Sequence, residues 1–392
     1  MSIAGIIALL ILLYWLVTLA EYLRGMKLLR ELPPSGPLSD PVPLVSVIIA
    51  AKEEESTIRD TVRHLLAQDY PRLELIVVND RSQDATGSTL EELRKWSQAR
   101  EEISIPLRII HITALPPGWL GKNHALYQGY LQARGQWLLF TDADIRFRPE
   151  TVRDAIHYAR LEQADHLTLT PTMTTRKFWL RSFIHHFLFS MTLFTRPWRA
   201  NRDDLRSGGM GIGAFNLIRR QTYEAIGTHK AIALRPDDDL QLGASVKRDG
   251  HRQRLASSRG LLQLEWYPDM HSAVRGLEKN FFSGFGYHTL LAAAAGAGQL
   301  MLFTYPWIGM LLHGDWRSLV HLLSVLIMIQ LYLKQVRLVS GKPSTDALVI
   351  PISAVMLVYV LLRSVALTLK QGGVYWRGTF YPLSELKKMK GR

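Results

Sequence analysis

Long uncharged apolar runs and short alternating segments divide this chain into two kinds of sequence. Residues 1–20 carry no charge, and at about 1.5 Å per residue such a run can cross a bilayer core of about 30 Å as one helix. Basic residues follow it, at Arg24, Lys27 and Arg30, whereas a cleaved signal peptide carries them in front. The pattern predicts a transmembrane anchor over 1–22 with the following residues in the cytosol, and then a proline-rich linker over 23–43.

From Val45 the pattern alternates. Val45–Ala50, Leu73–Val78, Leu107–Ile112, Trp137–Phe140 and Leu167–Leu169 read as strands covered on both faces. Ile58, Val62, Leu65 and Leu66 fall on one face of a helix that Ser56 can cap. Asn123 is placed to cap another, with Ala125, Leu126, Gly129, Tyr130 and Ala133 on one side. Glu150–Arg160 reads as a further helix, Ala214–Ile218 as a strand, and Asp237-Asp238-Asp239 opens a helix running to about Lys247. This succession predicts an α/β domain with a mostly parallel, doubly wound sheet over 44–280.

Phe178–Phe194 is aromatic and apolar but interrupted by Arg181, His185 and His186. It reads as an amphipathic helix (178–195) in the membrane interface, with a buried soluble helix as the alternative. Apolar segments of spanning or near-spanning length recur at about 287–312, 319–333 and 347–369, ahead of a basic tail over 370–392. Lys334, Arg337 and Lys342 mark the loop before the last segment as cytosolic. Three full crossings would then place the tail outside against the same charge rule, so either one segment is interfacial or the tail is an exception.

Composition sharpens the picture at three points. The mean hydropathy of +0.02 beside 21% charged residues reflects this segregation of apolar runs. The net charge of +13 is spread over juxtamembrane segments, which favours anionic headgroups and phosphorylated substrates over nucleic acid. The absence of cysteine excludes disulfides, thiolate catalysis and cysteine-type zinc sites.

The candidate chemistry lies where strands end. The apolar run Trp137–Phe140 leads into Asp142-Ala143-Asp144, whose hard oxygen ligands suit Mg²⁺ or Mn²⁺. If strand pairing ran through residue 144 both aspartates would share a face; the other reading is a solvated turn. Val45–Ala51 ends in the polar loop Lys52-Glu53-Glu54, and Leu75–Val78 ends in Asn79-Asp80. Lys122 stands at a helix entrance, where a cation and free backbone N–H groups both meet phosphate. Carboxylates for ribose and base, a phosphate-binding lysine and a metal site make up a nucleotide-diphosphate site. Gly208, Gly209, Gly211 and Gly213 read as a tight loop on the acceptor side.

On these residues the chain resembles the family 2 glycosyltransferases, inverting enzymes of the GT-A fold, over roughly 44–280. The family's Pro-Ala-Arg-Asn-Glu-like loop reads Ala50-Ala51-Lys52-Glu53-Glu54 here, and its Asp-Asp-Gly-Ser pattern reads Asn79-Asp80-Arg81-Ser82, departing at two positions. The resemblance implies donor binding by Ala51, Lys52, Glu53, Asn79, Asp80, Lys122 and Asp142. It assigns a divalent cation, Mg or Mn, to Asp142 and Asp144. The family's catalytic acidic pair falls on Asp238-Asp239, with Asp239 as general base.

Membrane-bound members that glycosylate carotenoids, hopanoids and ceramide look most similar. They share an N-terminal anchor, a Gly-Lys-x-x-Ala segment like 121–125 and a C-terminal hydrophobic bundle. Some also end in a tail like Tyr375-Trp376-Arg377-Gly378-Thr379-Phe380-Tyr381, which implies a diphosphate contact for Arg377. The Gln-x-x-Arg-Trp motif of processive synthases is absent. The implied protein is a multi-pass enzyme of the cytoplasmic (inner) membrane with its catalytic domain in the cytosol. It moves one sugar, UDP-linked, to a lipid hydroxyl. The alternatives are a polyprenyl-phosphate sugar synthase, which needs no base, and a non-catalytic nucleotide-sugar-binding membrane protein.

Overall fold

The computed structural model describes residues 2–36, 41–279, 281–376 and 379–388. The chain forms two compact units. A helical unit takes residues 1–27, 174–196 and 266–392, and a sheet unit takes 28–173 and 197–265.

The first element is helix α1 (Ile3–Met26). The sheet unit then runs through β1 (Arg30–Glu31), β2 (Val45–Ala51), α2 (Ile58–Leu66), β3 (Leu73–Asp80), α3 (Thr86–Gln98) and β4 (Leu107–Ile112). It continues with α4 (Gly121–Gln132), β5 (Trp137–Thr141), β6 (Arg146–Phe147), α5 (Thr151–Leu161), β7 (His166–Thr170) and β8 (Thr172–Met173). Helix α6 (Phe178–Thr195) belongs to the helical unit. The chain then returns to the sheet unit for β9 (Asn216–Arg219), α7 (Arg220–Ala225), α8 (Asp238–Arg248), β10 (Gln253–Ser257) and β11 (Leu262–Leu264). Helices α9 (Met270–Glu278), α10 (Phe281–Gly284), α11 (Thr289–Phe303), α12 (Tyr305–Leu312), α13 (Trp316–Ser340) and α14 (Ile350–Gln371) follow. The hairpin β12 (Gly373–Trp376) and β13 (Thr379–Pro382) and helix α15 (Leu383–Lys388) come last.

Eight strands form one sheet in the order β1-β10-β7-β9-β5-β2-β3-β4. All neighbours are parallel except β9, which runs antiparallel between β5 and β7. The mostly parallel α/β sheet predicted from the sequence is the one observed. Its central strands are apolar on both faces because helices cover both. Val47, Ile48 and Ile49 of β2, Leu75–Val78 of β3 and Leu138 and Leu139 of β5 are all fully buried, and each such side chain contributes about 1.5–3 kcal/mol. Helix α4 packs its Leu126 into a core with Ile48, Leu138, Phe140, Ile218, Tyr223, Leu242 and Val246. Strand β10 was not anticipated, since Gln253–Ser257 neither alternates nor runs apolar: Leu255 and Ala256 stand side by side between polar residues. Strand β1 falls inside the proline-rich linker, where it pairs with Ala256 and Ser257.

Among the described residues of the helical unit, three helices are long and apolar enough to cross a membrane: Ile3–Met26, Trp316–Ser340 and Asp346–Gln371. The apolar run 287–312 is divided between α11 and α12, with Pro306 in the first turn of the second helix. Helix α6 buries Leu180, Phe183 and Ile184 against Ala273, Leu277, Leu357 and Val360. Its polar residues find partners on other helices of the unit. The Arg181 guanidinium donates to Asp346 at 3.0 Å and His185 Nδ1 lies 2.7 Å from the same carboxylate. The Gln299 amide donates to His186 and Ser190 at 2.6 and 3.1 Å. Gln335 donates to Thr192 and accepts from the Tyr22 hydroxyl, both at 3.0 Å. Polar side chains bonded between helices in this way tie a bundle together where water is excluded.

Candidate functional site

Strands β2, β3 and β5 are parallel neighbours, so their C-terminal ends, and the loops that follow, open on one edge of the sheet, the place where ligands of open α/β sheets gather. Pairing of β5 stops at Thr141. The shared strand face considered for Asp142 and Asp144 is therefore absent, and both stand on the turn that follows. That turn is fastened on three sides. The Thr141 hydroxyl donates to Ala214 O and the Thr61 hydroxyl to Ala143 O, both at 2.8 Å, and Asp142 N–H donates to Gly213 O at 3.0 Å.

Three of the expected groups meet here. Lys122, in the first turn of α4, places Nζ 2.9 Å from Asp142 Oδ1 and 3.4 Å from Asp238 Oδ1. Asp238 and Asp239 open α8, where carboxylates suit the positive helix end. Asp239 is gripped at both oxygens, accepting from Gly213 N–H at 2.7 Å and Leu240 N–H at 2.8 Å. Gly213 thus joins the two acidic pairs. A Cβ there would lie 2.4 Å from Asp142 Oδ2, so any larger residue would displace the loop or that carboxylate.

The electrostatics are those of crowded carboxylates. Burial, with the charges of Asp142 and Glu54 added, pushes the Asp144 carboxyl up to about 7. Burial also lifts Asp238 to about 7; Lys122 opposes this, while Asp239 and Asp142 add to it. Asp239 is raised by burial against the pull of Lys122. Burial alone would lower the Lys122 ammonium, but Asp142, Asp238 and Asp239 outweigh it and hold the group above its ordinary value. One lysine therefore faces several carboxylates, and further positive charge would relieve them. Among the described residues no three His, Asp or Glu side chains form a ready cage. Asp142 and Asp144 supply the hard carboxylate oxygens that a divalent cation takes.

The remaining expected residues have structural partners. Ala51 is buried at the end of β2. Lys52 is half-buried in the loop that follows. Glu53 fastens that loop to the one after β3, accepting from Gln83 N–H at 2.9 Å and donating its own N–H to Ser82 Oγ at 3.1 Å. Asn79 lies 3.0 Å from His111 Nδ1, tying β3 to β4. Asp80 is buried, and both its oxygens receive the guanidinium of Arg81, at 2.7 and 3.1 Å. Arg81 replaces the glycine of the resembled pattern and keeps the left-handed backbone, with φ of 57°. Arg377 lies outside the described residues.

Sequence reasoning missed several contributors. Asn123 is not a helix cap: α4 begins at Gly121, and the Asn123 amide reaches the carbonyls of a distant loop. The glycine loop is held by a buried network. Gln253 exchanges hydrogen bonds with the Met210 backbone and donates to His166 Nδ1 at 2.8 Å. His166 Nε2 reaches Asn216 Oδ1, which also accepts from Ile212 N–H. Burial pushes His166 down to about 4, which keeps the ring neutral, so that one nitrogen accepts and the other donates.

The sequence model of the family described as Glycosyl transferase family 2 matches residues 46–227. The 4,4'-diaponeurosporenoate glycosyltransferase of Staphylococcus aureus is 28% identical over 204 residues, which are 51% of this chain and 50% of that protein. The chain thus spans about half the length of the curated relatives it matches. Among solved structures, the mannosyltransferase PcManGT from Pyrobaculum calidifontis, in complex with GDP-Man and Mn²⁺, superposes with a TM-score of 0.51 at 16% identity. The match covers 94% of this chain and 99% of that one, and it shows a shared fold. TarS of S. aureus, in complex with UDP-GlcNAc, gives a TM-score of 0.42 at 15% identity, covering 86% and 95% of the two chains.

Proposed function

We propose that this chain, whose residues 46–227 match the model of glycosyl transferase family 2, transfers a single sugar from a nucleotide-diphosphate donor to a lipid hydroxyl. The observation that carries this reading is the convergence of Lys122, Asp142 and the Asp238–Asp239 pair at the C-terminal edge of a parallel sheet.

In this mechanism Asp80 holds the nucleoside, with UDP the nucleotide of choice, and Lys122 turns from Asp142 and Asp238 toward the diphosphate. Asp142 and Asp144 would hold a divalent cation, Mg²⁺ or Mn²⁺, which would supply charge neutralisation for the leaving diphosphate. Asp239 accepts the proton as the acceptor O–H bond breaks. The new bond forms between that oxygen and the anomeric carbon, from the face opposite the departing diphosphate, so the configuration inverts. Gly213 N–H and Leu240 N–H fix the Asp239 carboxylate for this step.

Three helices long enough to cross a membrane and a relative named for 4,4'-diaponeurosporenoate support an acceptor dissolved in lipid. We place the protein in the cytoplasmic membrane as a multi-pass chain, with the catalytic domain in the cytosol. Radiolabelled nucleotide-sugar given to membranes containing the protein should put label in the organic phase, on a species carrying one sugar. Chelator should abolish the transfer and Mg²⁺ or Mn²⁺ restore it. Label confined to water-soluble oligosaccharide or long polymer would overturn the lipid acceptor.

A further inference from the structure

Asn123 adjoins Lys122 in the chain and is 1% exposed. Its side-chain nitrogen lies 2.8 Å from Ile232 O, 3.2 Å from Ala233 O and 2.9 Å from Arg235 O. The Leu120 N–H donates to the same Ala233 carbonyl at 2.8 Å. The side-chain oxygen is buried without a partner. The residue therefore uses only its donor capacity, and spends all of it on one short segment of loop.

That segment runs directly into the acidic residues of α8. The Asp237 carboxylate takes the Arg235 guanidinium at 3.1 and 2.9 Å and the Gln241 amide at 2.7 Å. Asp238 follows and returns to Lys122 at 3.4 Å. The path closes on itself: Lys122, Asn123, residues 232–235, Asp237, Asp238 and Lys122 again.

We infer that Asn123 is a positioning residue that sets the spacing between the phosphate-side lysine and the acidic pair; this rests on the donor-site reading above. It acts through the 232–235 carbonyls. Loosening them shifts Asp238 and Asp239 while leaving the nucleoside side of the site, at the ends of β2 and β3, in place. A displacement of about 1 Å at a reacting group costs on the order of 10²-fold in rate, whereas binding shared equally by ground and transition states survives.

The test compares the full-length protein in membranes with Asn123→Ala and Asn123→Ser. Turnover is read from transfer of labelled sugar, the Kd from UDP binding and folding from thermal unfolding. For Asn123→Ala, kcat should fall about 10²-fold while the Kd for UDP changes by less than about threefold. Asn123→Ser keeps one donor and should recover part of the turnover. If Asn123→Ala does not fold, Asn123→Ser against the parent carries the same comparison, again with kcat reduced and UDP affinity kept. UDP affinity falling in step with kcat, or an unchanged kcat, would overturn the inference. A parent protein that neither binds UDP nor turns over UDP-GlcNAc, UDP-glucose or GDP-Man overturns the enzyme reading and this one together. An active parent with equally active variants overturns this one alone.

Discussion

Asp239 would enter the reaction with both oxygens already engaged by backbone amides, leaving its remaining lone pairs to meet an incoming hydroxyl. Asp239→Asn keeps the shape and removes the proton acceptor. Turnover should fall by about 10² to 10⁴ with UDP affinity intact, as steady-state kinetics and binding titration would show. A variant as active as the parent would leave Asp239 only the structural task of tying the Gly213 loop to α8. Charge crowding gives a second test. Asp144 and Asp238 hold their protons up to about 7 in the folded chain, against an ordinary 3.8. The folded state thus binds more protons than the unfolded one between these values. The stability this supplies is fully present below about pH 4 and is lost as pH rises through about 7. Metal-free protein should therefore unfold at a lower temperature at pH 8 than at pH 5.5, and Mn²⁺ at pH 8 should restore the loss. Thermal unfolding that ignores both pH and Mn²⁺ would contradict this. The carboxylates and Lys122 were legible in the sequence because acidic and basic residues at strand and helix ends stand out from an apolar background. Asn123 was not, because its partners lie 109 residues further along and nothing local marks them.

At the scale of elements, strands β2, β3 and β5 were readable because strands covered on both faces need continuous apolar runs, whereas β4, expected to be buried in the same way, is a half-exposed edge strand. Strand β10 and the antiparallel placement of β9 were not. A run such as Gln253–Ser257 becomes a strand through its neighbours β1 and β7, and chain direction leaves no mark in composition. The glycine loop shows the same limit. A tight loop was evident from four glycines, but its anchoring was not, since Gln253 of β10 and Asn216 of β9 hold it, with His166 of β7 bonded between them. Gly213→Ala tests that use. The added Cβ would meet the Asp142 carboxylate at 2.4 Å, so either the loop or the aspartate must move. Turnover should fall by about 10²-fold with the protein still folded, as kinetics and thermal unfolding would show. Unchanged turnover would mean that Gly213 does not set the distance between the acidic pairs.

For the whole molecule, orientation across the membrane is the open geometric statement. The chain lacks cysteine, so a thiol introduced at exposed Glu101 would be unique. With Arg24, Lys27 and Arg30 following the first helix, Glu101→Cys should resist a membrane-impermeant thiol reagent in intact cells and react after permeabilisation. Labelling of intact cells would reverse the orientation. The order in which the two units take up the chain has a consequence for biosynthesis. Helix α6 belongs to one unit, yet it is made between β8 and β9 of the other. Strand β9 joins β5 to β7, and β10 joins β7 to β1, so the sheet stays incomplete until residue 257 has been made. The sheet unit cannot close as an early folding domain during synthesis. It is sewn shut from the inside only after a helix of the other unit has already emerged. A soluble piece cut from 28 to 265 would have to carry that helix along, stripped of the bundle that buries it.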